Sequence, residues 1–366
     1  INSVWNGTWQ KQDLAAPTAG TILDKNLRMP SSWKSSLAFD ASLPGGVKAT
    51  LEGTYSYNFA EVYATPLGYA KTGSIRLPGE PEAREVWTAE TLADGAKAGG
   101  YYATNINGNN GYYYSITVQL SKSFKNGLDL MAAYTNARGM SVTDGNGDQI
   151  SEFANTYAKN GSSSPELGYS NYVAPNRVIA NASWTIDEGK YTATKLSAFY
   201  EGYNLGYISN YSYSRVSYLM NNVSGGTGAS QMIYIPTEME LSQMPFVDEA
   251  NKLEFNNFIA NDRYLSTHRG KYMERNGATA PWLNRINVRV AQDFFFNIAG
   301  RKQTLEIGLD IKNLGNLLDS QWGLCKQMSS NVVLNYDKAA AKYTFTKPTW
   351  NTLNGTASTW QMLLSA

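Results

Sequence analysis

Ser31-x-x-Lys34, Ser56-x-Asn58 and Lys71-Thr72-Gly73 stand in the order used by serine acyl-transfer enzymes, where a lysine activates a serine nucleophile. That chemistry needs the first motif at the start of a helix. Lys34 instead opens an alternating apolar and polar run, so the set reads as a coincidence on a strand. Asp144-Gly145-Asn146-Gly147-Asp148 places oxygen ligands at the first, third and fifth positions of a calcium loop, the spacing that aims alternate side chains at a hard cation. Gln149 and Asn155 occupy the positions where that loop needs Gly and a bidentate Glu, and a polar loop tip is the competing reading. A single Cys, Cys325, excludes an internal disulfide framework and a thiolate metal cluster. The single His, His268, excludes His-pair sites, and beside Arg269 and Lys271 it reads as a structural side chain. No cofactor is implied.

The elements that would carry these residues are strands. The chain has 366 residues, 31 basic against 30 acidic, and no dominant basic block, which removes the electrostatic footprint of a nucleic-acid binder. No apolar run approaches the roughly 18 residues of a membrane helix. The start shows no basic segment followed by an apolar one, so Ile1 reads as a mature N-terminus or as a point within a longer chain. The 25 Tyr and 32 Gly are the balance of a polar β-protein.

Period-2 alternation marks nine strands. From Trp33, Leu37, Phe39, Ala41 and Leu43 alternate with polar residues; after Leu-Pro-Gly-Gly the pattern resumes through Val47, Ala49, Leu51, Tyr55 and Tyr57. Tyr112, Tyr114, Ile116, Val118 and Leu120 turn at Lys125-Asn126-Gly127 and return on Leu128, Leu130, Ala132 and Tyr134. Val178, Ala180, Ala182, Trp184 and Ile186 pair with Leu196, Ala198 and Tyr200. Ile286 to Phe296 turns near Gly300 and returns on Leu305 to Ile311, and a last strand alternates Trp360, Met362 and Leu364.

The connections alternate between short and long. Turns of roughly 3 to 6 residues alternate with segments at about 60–110, 139–175, 205–282 and 313–356, whereas loops beyond about 12–15 residues are uncommon in ordinary β-domains. Transmembrane β-barrels have this asymmetry, and their strands need about 10 residues. The apolar face would meet lipid and the polar face a lumen. Lys34, Asp40, Lys48, Glu52, Asp129, Lys195, Glu201, Arg289, Asp293, Glu306, Asp310 and Lys312 would then be lumenal. A closed barrel of nine strands would be only about 18 Å across, too narrow for so many charges without nearly complete pairing. Nine is also odd, and bacterial single-chain barrels are even. The expectation is therefore an all-β chain forming about nine strands of a larger antiparallel transmembrane barrel.

Two features lie in the long segments. Thr237-Glu-Met-Glu240 is a capping box after Pro236, and Leu253, Phe255, Phe258, Ile259 and Leu265 have partial helical spacing, which predicts one or two short helices. Tyrosines cluster at 112–114 and at Tyr207, Tyr211, Tyr213 and Tyr218; with Trp33, Trp282, Trp322 and Trp360 they fit interfacial girdles. The second cluster is also a candidate external surface for sugars or peptides.

The segments MIYIP (232–236), FNNFIANDRYLSTHRGKYMERNGATAPWLNRINVRVAQDF (255–294) and LDIKNLGNLLDSQWG (309–323) resemble the C-terminal barrel of TonB-dependent outer-membrane receptors of Bacteroidetes, with the Oar-like group nearest. WKSSLAFDASLPGGVKATLEGTYS (33–56) and SAFYEGYNLGYISNY (197–211) fit the same group. The resemblance implies a 22-stranded barrel around an N-terminal plug, with import energised by the inner-membrane TonB complex. The chain would be the C-terminal part of that barrel, residues 1–366, without plug or earlier strands, and it departs from the family by ending on Ala366 rather than an aromatic residue. The implied partners are outer-membrane lipid, the plug, TonB and a surface lipoprotein, and the implied location is the Gram-negative outer membrane. The implied function is active transport of a scarce or large ligand without bond chemistry. A passive porin-like channel or an adhesin is the alternative.

Overall fold

The computed structural model of the protein describes residues 21–66, 69–89, 100–105, 111–144, 156–161, 166–209, 211–225 and 231–366. Its largest element is an antiparallel meander of nine strands: β1 (Ser31–Leu43), β2 (Val47–Ala60), β3 (Tyr112–Ser123), β4 (Leu128–Ser141), β5 (Asn176–Asp187), β6 (Thr192–Asn204), β7 (Trp282–Ile298), β8 (Arg301–Lys312) and β9 (Gln361–Ser365). Each strand pairs with the next in chain order. The fold is all-β and antiparallel in this sheet, as the alternation predicts. Among the described residues β1 and β9 are the ends of the path and do not pair with each other.

The short turns are built by residues suited to them. Ala299 and Gly300 both have positive φ (51° and 80°), the two-residue geometry whose twist matches a hairpin. Gly127 has φ 82°, and a Cβ there would meet the Thr185 carbonyl oxygen at 2.2 Å, so this turn leans on the next hairpin and admits no side chain. Trp184 completes that contact by donating its indole N–H to Asn126 O at 3.0 Å.

The four long connections gather at the other end of the strands and hold the hydrophobic core. Leu77 comes from the first, Val216 to Met273 from the third, and Met328 to Phe345 from the fourth; these pack as one cluster with Met220, Ile233, Phe255 and Tyr343 at 0 % exposure. Burying each such side chain contributes about 1.5–3 kcal/mol, so this cap is a folded unit and not a set of independent loops. Parallel strand pairs knit different connections together: Gly206–Ile208 with Lys326–Met328, and Leu219–Met220 with part of Val332–Asp337.

Helix α1 (Glu238–Gln243) carries the predicted capping box: Thr237 Oγ1 accepts from Glu240 N at 3.3 Å, and Glu240 Oε2 accepts from Thr237 N at 2.8 Å. Helix α2 (Glu249–Asn261) starts on Asp248, which accepts from Asn251 N, and buries Phe255 and Ile259. The predicted apolar spacing continues past its end, because Leu265 is buried from a separate 3-10 turn, whereas Leu253 is exposed. A third short helix, α3 (Leu314–Leu318), follows β8. Among the described residues no helix is long and apolar enough to cross a membrane.

Candidate functional site

Cross-strand partners in a sheet share a face. The pairings Lys34↔Ser56, Asp40↔Thr50 and Ala38↔Glu52 place Lys34, Asp40, Lys48 and Glu52 together on β1 and β2. Thr117, Thr135, Arg177 and Tyr203 continue that face to β6, and Glu201↔Arg285, Ser197↔Arg289 and Asp293↔Glu306 carry it to β8. Asp129, Lys195, Asp310 and Lys312 fall on it by the same registers. All twelve charged positions therefore lie on one side of the sheet.

Five of the twelve form a continuous chain of opposite charges across β6, β7 and β8. Lys195 Nζ lies 2.7 Å from Asp293 and 3.0 Å from Glu306; Arg289 reaches Glu306 at 2.7 Å and also contacts Asp310. Glu201 stands between Arg177 (3.5 Å) and Arg285 (3.9 Å). Lys34, Asp40, Lys48, Glu52, Asp129 and Lys312 are exposed, with Asp40 accepting from Thr50 Oγ1 at 2.5 Å.

The other face is apolar and open. Leu37 is 80 % exposed and Phe39 66 %, and Leu51, Ile116, Val118, Leu120, Val290, Leu305 and Leu364 are exposed as well. On the charged side, by contrast, Ala133, Ala137, Ala291 and Asp293 are buried, and the cap folds toward that side: Arg285 donates to Ala357 O at 2.8 Å, and Asn287 accepts from Asn313 N at 2.9 Å. A sheet of a water-soluble protein has the opposite arrangement, with its apolar side covered.

The cap is pinned by one buried polar node. Arg84 donates to both oxygens of Glu80 (2.8 and 2.7 Å) from the first connection, to Lys159 O at 2.7 Å in the second and to Met232 O at 3.0 Å in the third. Tyr272 donates to Glu80 Oε2 at 3.0 Å beneath the guanidinium, and Tyr343 of the fourth connection donates to Pro78 O at 3.2 Å. Burial, with the Glu80 carboxylate adding to it, pushes both phenols up.

Between the second, third and fourth connections lies a polar cavity of about 220 Å³. Tyr211 and Tyr213 form one wall as a stacked pair with centroids 6.4 Å apart, and Tyr172 packs on Tyr213 at 5.9 Å. Asp144, Asn171, Arg215, Asn276 and Asn331 supply polar groups. Burial pushes the Tyr213 phenol up to about 12, so its hydroxyl is intact at neutral pH.

The tyrosine and calcium expectations divide at this cavity. Tyr211 and Tyr213 line it. Tyr207 stands half-buried in Gly206–Ile208, and the cavity takes Ile208 and Ser209 from that strand's end. Tyr218 is corrected from an external residue to a core one. It is 4 % exposed, donates to Asp262 Oδ2 at 2.8 Å and packs edge-on against Phe258 at 5.0 Å. Asp144 is buried and accepts from Asn171 N (3.1 Å) and Asn276 Nδ2 (2.9 Å), with Arg275 Nε at 3.9 Å. Its carboxylate thus holds the cap together; burial raises its pKa and Arg275 opposes that rise. Asn146 and Asp148 lie outside the described residues. Among the described residues no group of three or more His, Cys, Asp or Glu side chains is placed to hold a metal.

The remaining motifs fall in structural settings. Ser31 and Lys34 lie in β1, Ser56 and Asn58 in β2, and Lys71 pairs with Glu85 at 2.6 Å within a cap hairpin. His268 stacks on Tyr264 at 4.0 Å, its Nδ1 2.8 Å from Tyr264 O. Cys325 is buried beside Arg285.

The cavity residues Asn171, Asn276 and Asn331 have no sequence signal, since three distant segments bring them together. Arg215 has one: with Tyr211 and Tyr213 it continues a period-2 run, which sets all three toward one side. Comparison with models of protein families, with curated proteins and with solved structures found no match.

Proposed function

We propose that the nine-stranded sheet is an arc of an outer-membrane β-barrel and that the protein is a TonB-dependent receptor that imports a scarce or large ligand. One observation carries the membrane reading: the sheet leaves much of its apolar side open and turns its charges toward the cap. Soluble monomers rarely expose contiguous apolar patches above a few hundred Å². A bilayer removes that surface from water at about 25 cal/mol per Å². The charged side suits an aqueous lumen and a polar plug, and the packed cap at one end suits an external receptor surface. The TonB-dependent mode rests on the resemblance of the segments quoted above.

The test is membrane extraction of the full-length protein followed by gel migration with and without heating. A heat-dependent shift of a detergent-extracted protein is expected; a freely soluble protein contradicts the barrel. A plug-coding segment in the complete gene supports TonB dependence, and its absence favours a passive channel or adhesin.

A further inference from the structure

The apolar side of the sheet is not uniform. A groove of about 590 Å³ runs across β3 to β6, with Ala132, Ala180, Ala182 and Ala198 as its floor and Leu120 and Leu130 beside them. The pairings Leu120↔Ala132, Ala132↔Ala180, Leu130↔Ala182 and Ala182↔Ala198 put these side chains on one face. One charged residue lines the groove, Lys122. It stands opposite Leu130, so it shares the apolar side, and it is half-buried there. Its ammonium lies over the Phe124 ring, 4.4 Å from the centroid, and forms no ion pair among the described residues. On the charged side, by contrast, Lys195 and Arg289 each hold two carboxylates.

The height of Lys122 on the sheet says which anion could meet it. It stands three residues before the Lys125-Asn126-Gly127 turn. Trp184, on the same side two residues beyond Ala182, is 40 % exposed and donates its indole N–H to that turn, the setting of an interfacial indole. A lysine facing lipid is costly at the bilayer midplane and nearly free at the headgroups. Its long stem can lie along the apolar groove while the ammonium reaches that level. The anion found there is a lipid phosphate. Lipid tails are as apolar as the groove, so the groove selects by shape and Lys122 selects by charge. A zwitterionic headgroup brings its own ammonium to the phosphate, whereas an anionic headgroup leaves the phosphate to Lys122.

We propose that this groove seats an acyl chain of one anionic phospholipid, from the leaflet on the short-turn side, with its phosphate paired to Lys122. The site rests on the barrel reading and adds to it a specific bound lipid.

The test is native mass spectrometry of the full-length protein in tetraethylene glycol monooctyl ether, an uncharged detergent, titrated with dioleoylphosphatidylglycerol or dioleoylphosphatidylcholine. Tighter binding of the first phosphatidylglycerol is expected. Lys122→Gln should weaken it by about fivefold, and Ala182→Phe, which fills the floor of the groove, should weaken it by a similar factor. Lys302 is the matched control. It lies over Phe295 at 4.2 Å near the same end of the sheet but on the charged side, so Lys302→Gln should leave binding unchanged. Equal binding of the two lipids, unchanged phosphatidylglycerol binding in Lys122→Gln or Ala182→Phe, or an equal loss in Lys302→Gln overturns the proposal. So does a dimer that Ala182→Phe abolishes, which would give the groove to a second copy of the chain. Heat-shifted gel migration of each variant shows that it is folded. A heat-shifted protein that fails the lipid test sinks the lipid site and leaves the barrel standing, whereas a freely soluble protein takes both.

Discussion

Glu80 and Arg84 form a two-pronged ion pair with both side chains sealed from solvent, at 1 % and 0 % exposure. The pair belongs to one connection, yet the guanidinium spends its other hydrogen bonds on carbonyls of two further connections. Substituting Arg84→Met leaves a buried carboxylate without its counter-charge, and the expected cost is about 3–5 kcal/mol. Hydrogen exchange across the cap is the readout: protection at Lys159, Met232 and Tyr272 should fall together. The double variant Glu80→Leu with Arg84→Met should recover only part of the loss: no lone charge remains, but the Lys159 and Met232 carbonyls lose the guanidinium and the Tyr272 hydroxyl loses the Glu80 carboxylate.

Thr237 and Glu240 make the start of α1 sensitive to acid. Burial raises the Glu240 carboxyl, but hydrogen bonds from Thr237 and Tyr234 outweigh it and leave the pKa below the ordinary 4.5. The folded form then binds fewer protons than the unfolded one between the two values. The contribution is complete above 4.5 and is lost as the pH falls through the folded value. Thr237→Ala should cost about 1 kcal/mol at neutral pH, and Glu240→Gln should flatten the acid limb of a melting-temperature profile.

Tyr218→Phe separates a core role from a ligand role. The substitution removes the hydroxyl that donates to Asp262, the same carboxylate that accepts from Tyr264 N and Leu265 N. A loss of about 1 kcal/mol in cap stability is expected, with ligand binding unchanged. Stability held and binding lost would return Tyr218 to the binding surface.

These side chains also mark what the sequence made legible. The nine strands of the main sheet, their turn positions and the charged face followed from alternation, because a period of two survives any curvature of the sheet; the short strands of the cap did not. Alternation reports only the two faces of one strand, and so it was silent on the cap. Tyr218 looked like a continuation of Tyr211 and Tyr213, yet odd spacing after Arg215 and the contact with Phe258 take it into the core. Asp144 reads in sequence as the first ligand of a calcium loop; in the fold its oxygens also accept from Asn171 and Asn276, 27 and 132 residues away. No local pattern encodes partners at that separation.

Val118 and Gln119 are adjacent on β3 and face opposite sides, Val118 beside Leu51 and Tyr134, Gln119 beside Thr50 and Ala133. If the apolar side faces lipid, Val118→Arg should cost about 2–4 kcal/mol of folding free energy in bilayers, as lipid-facing cations do near the midplane. Gln119→Arg should be nearly neutral. Urea midpoints for refolding into lipid vesicles give both numbers.

The most direct measurement uses nitroxide labels, one at a time, at Leu51, Glu52, Val118 and Gln119 of the full-length protein in vesicles. A Cys325→Ser background removes the chain's one thiol. Oxygen concentrates in the bilayer and a nickel chelate stays in water, so their relaxation of each label reports which solvent it meets. The expected result is strict alternation, with Leu51 and Val118 open to oxygen and shielded from nickel, and Glu52 and Gln119 open to nickel. Equal nickel accessibility at both members of each pair would contradict a membrane-facing apolar side, and with it the receptor reading.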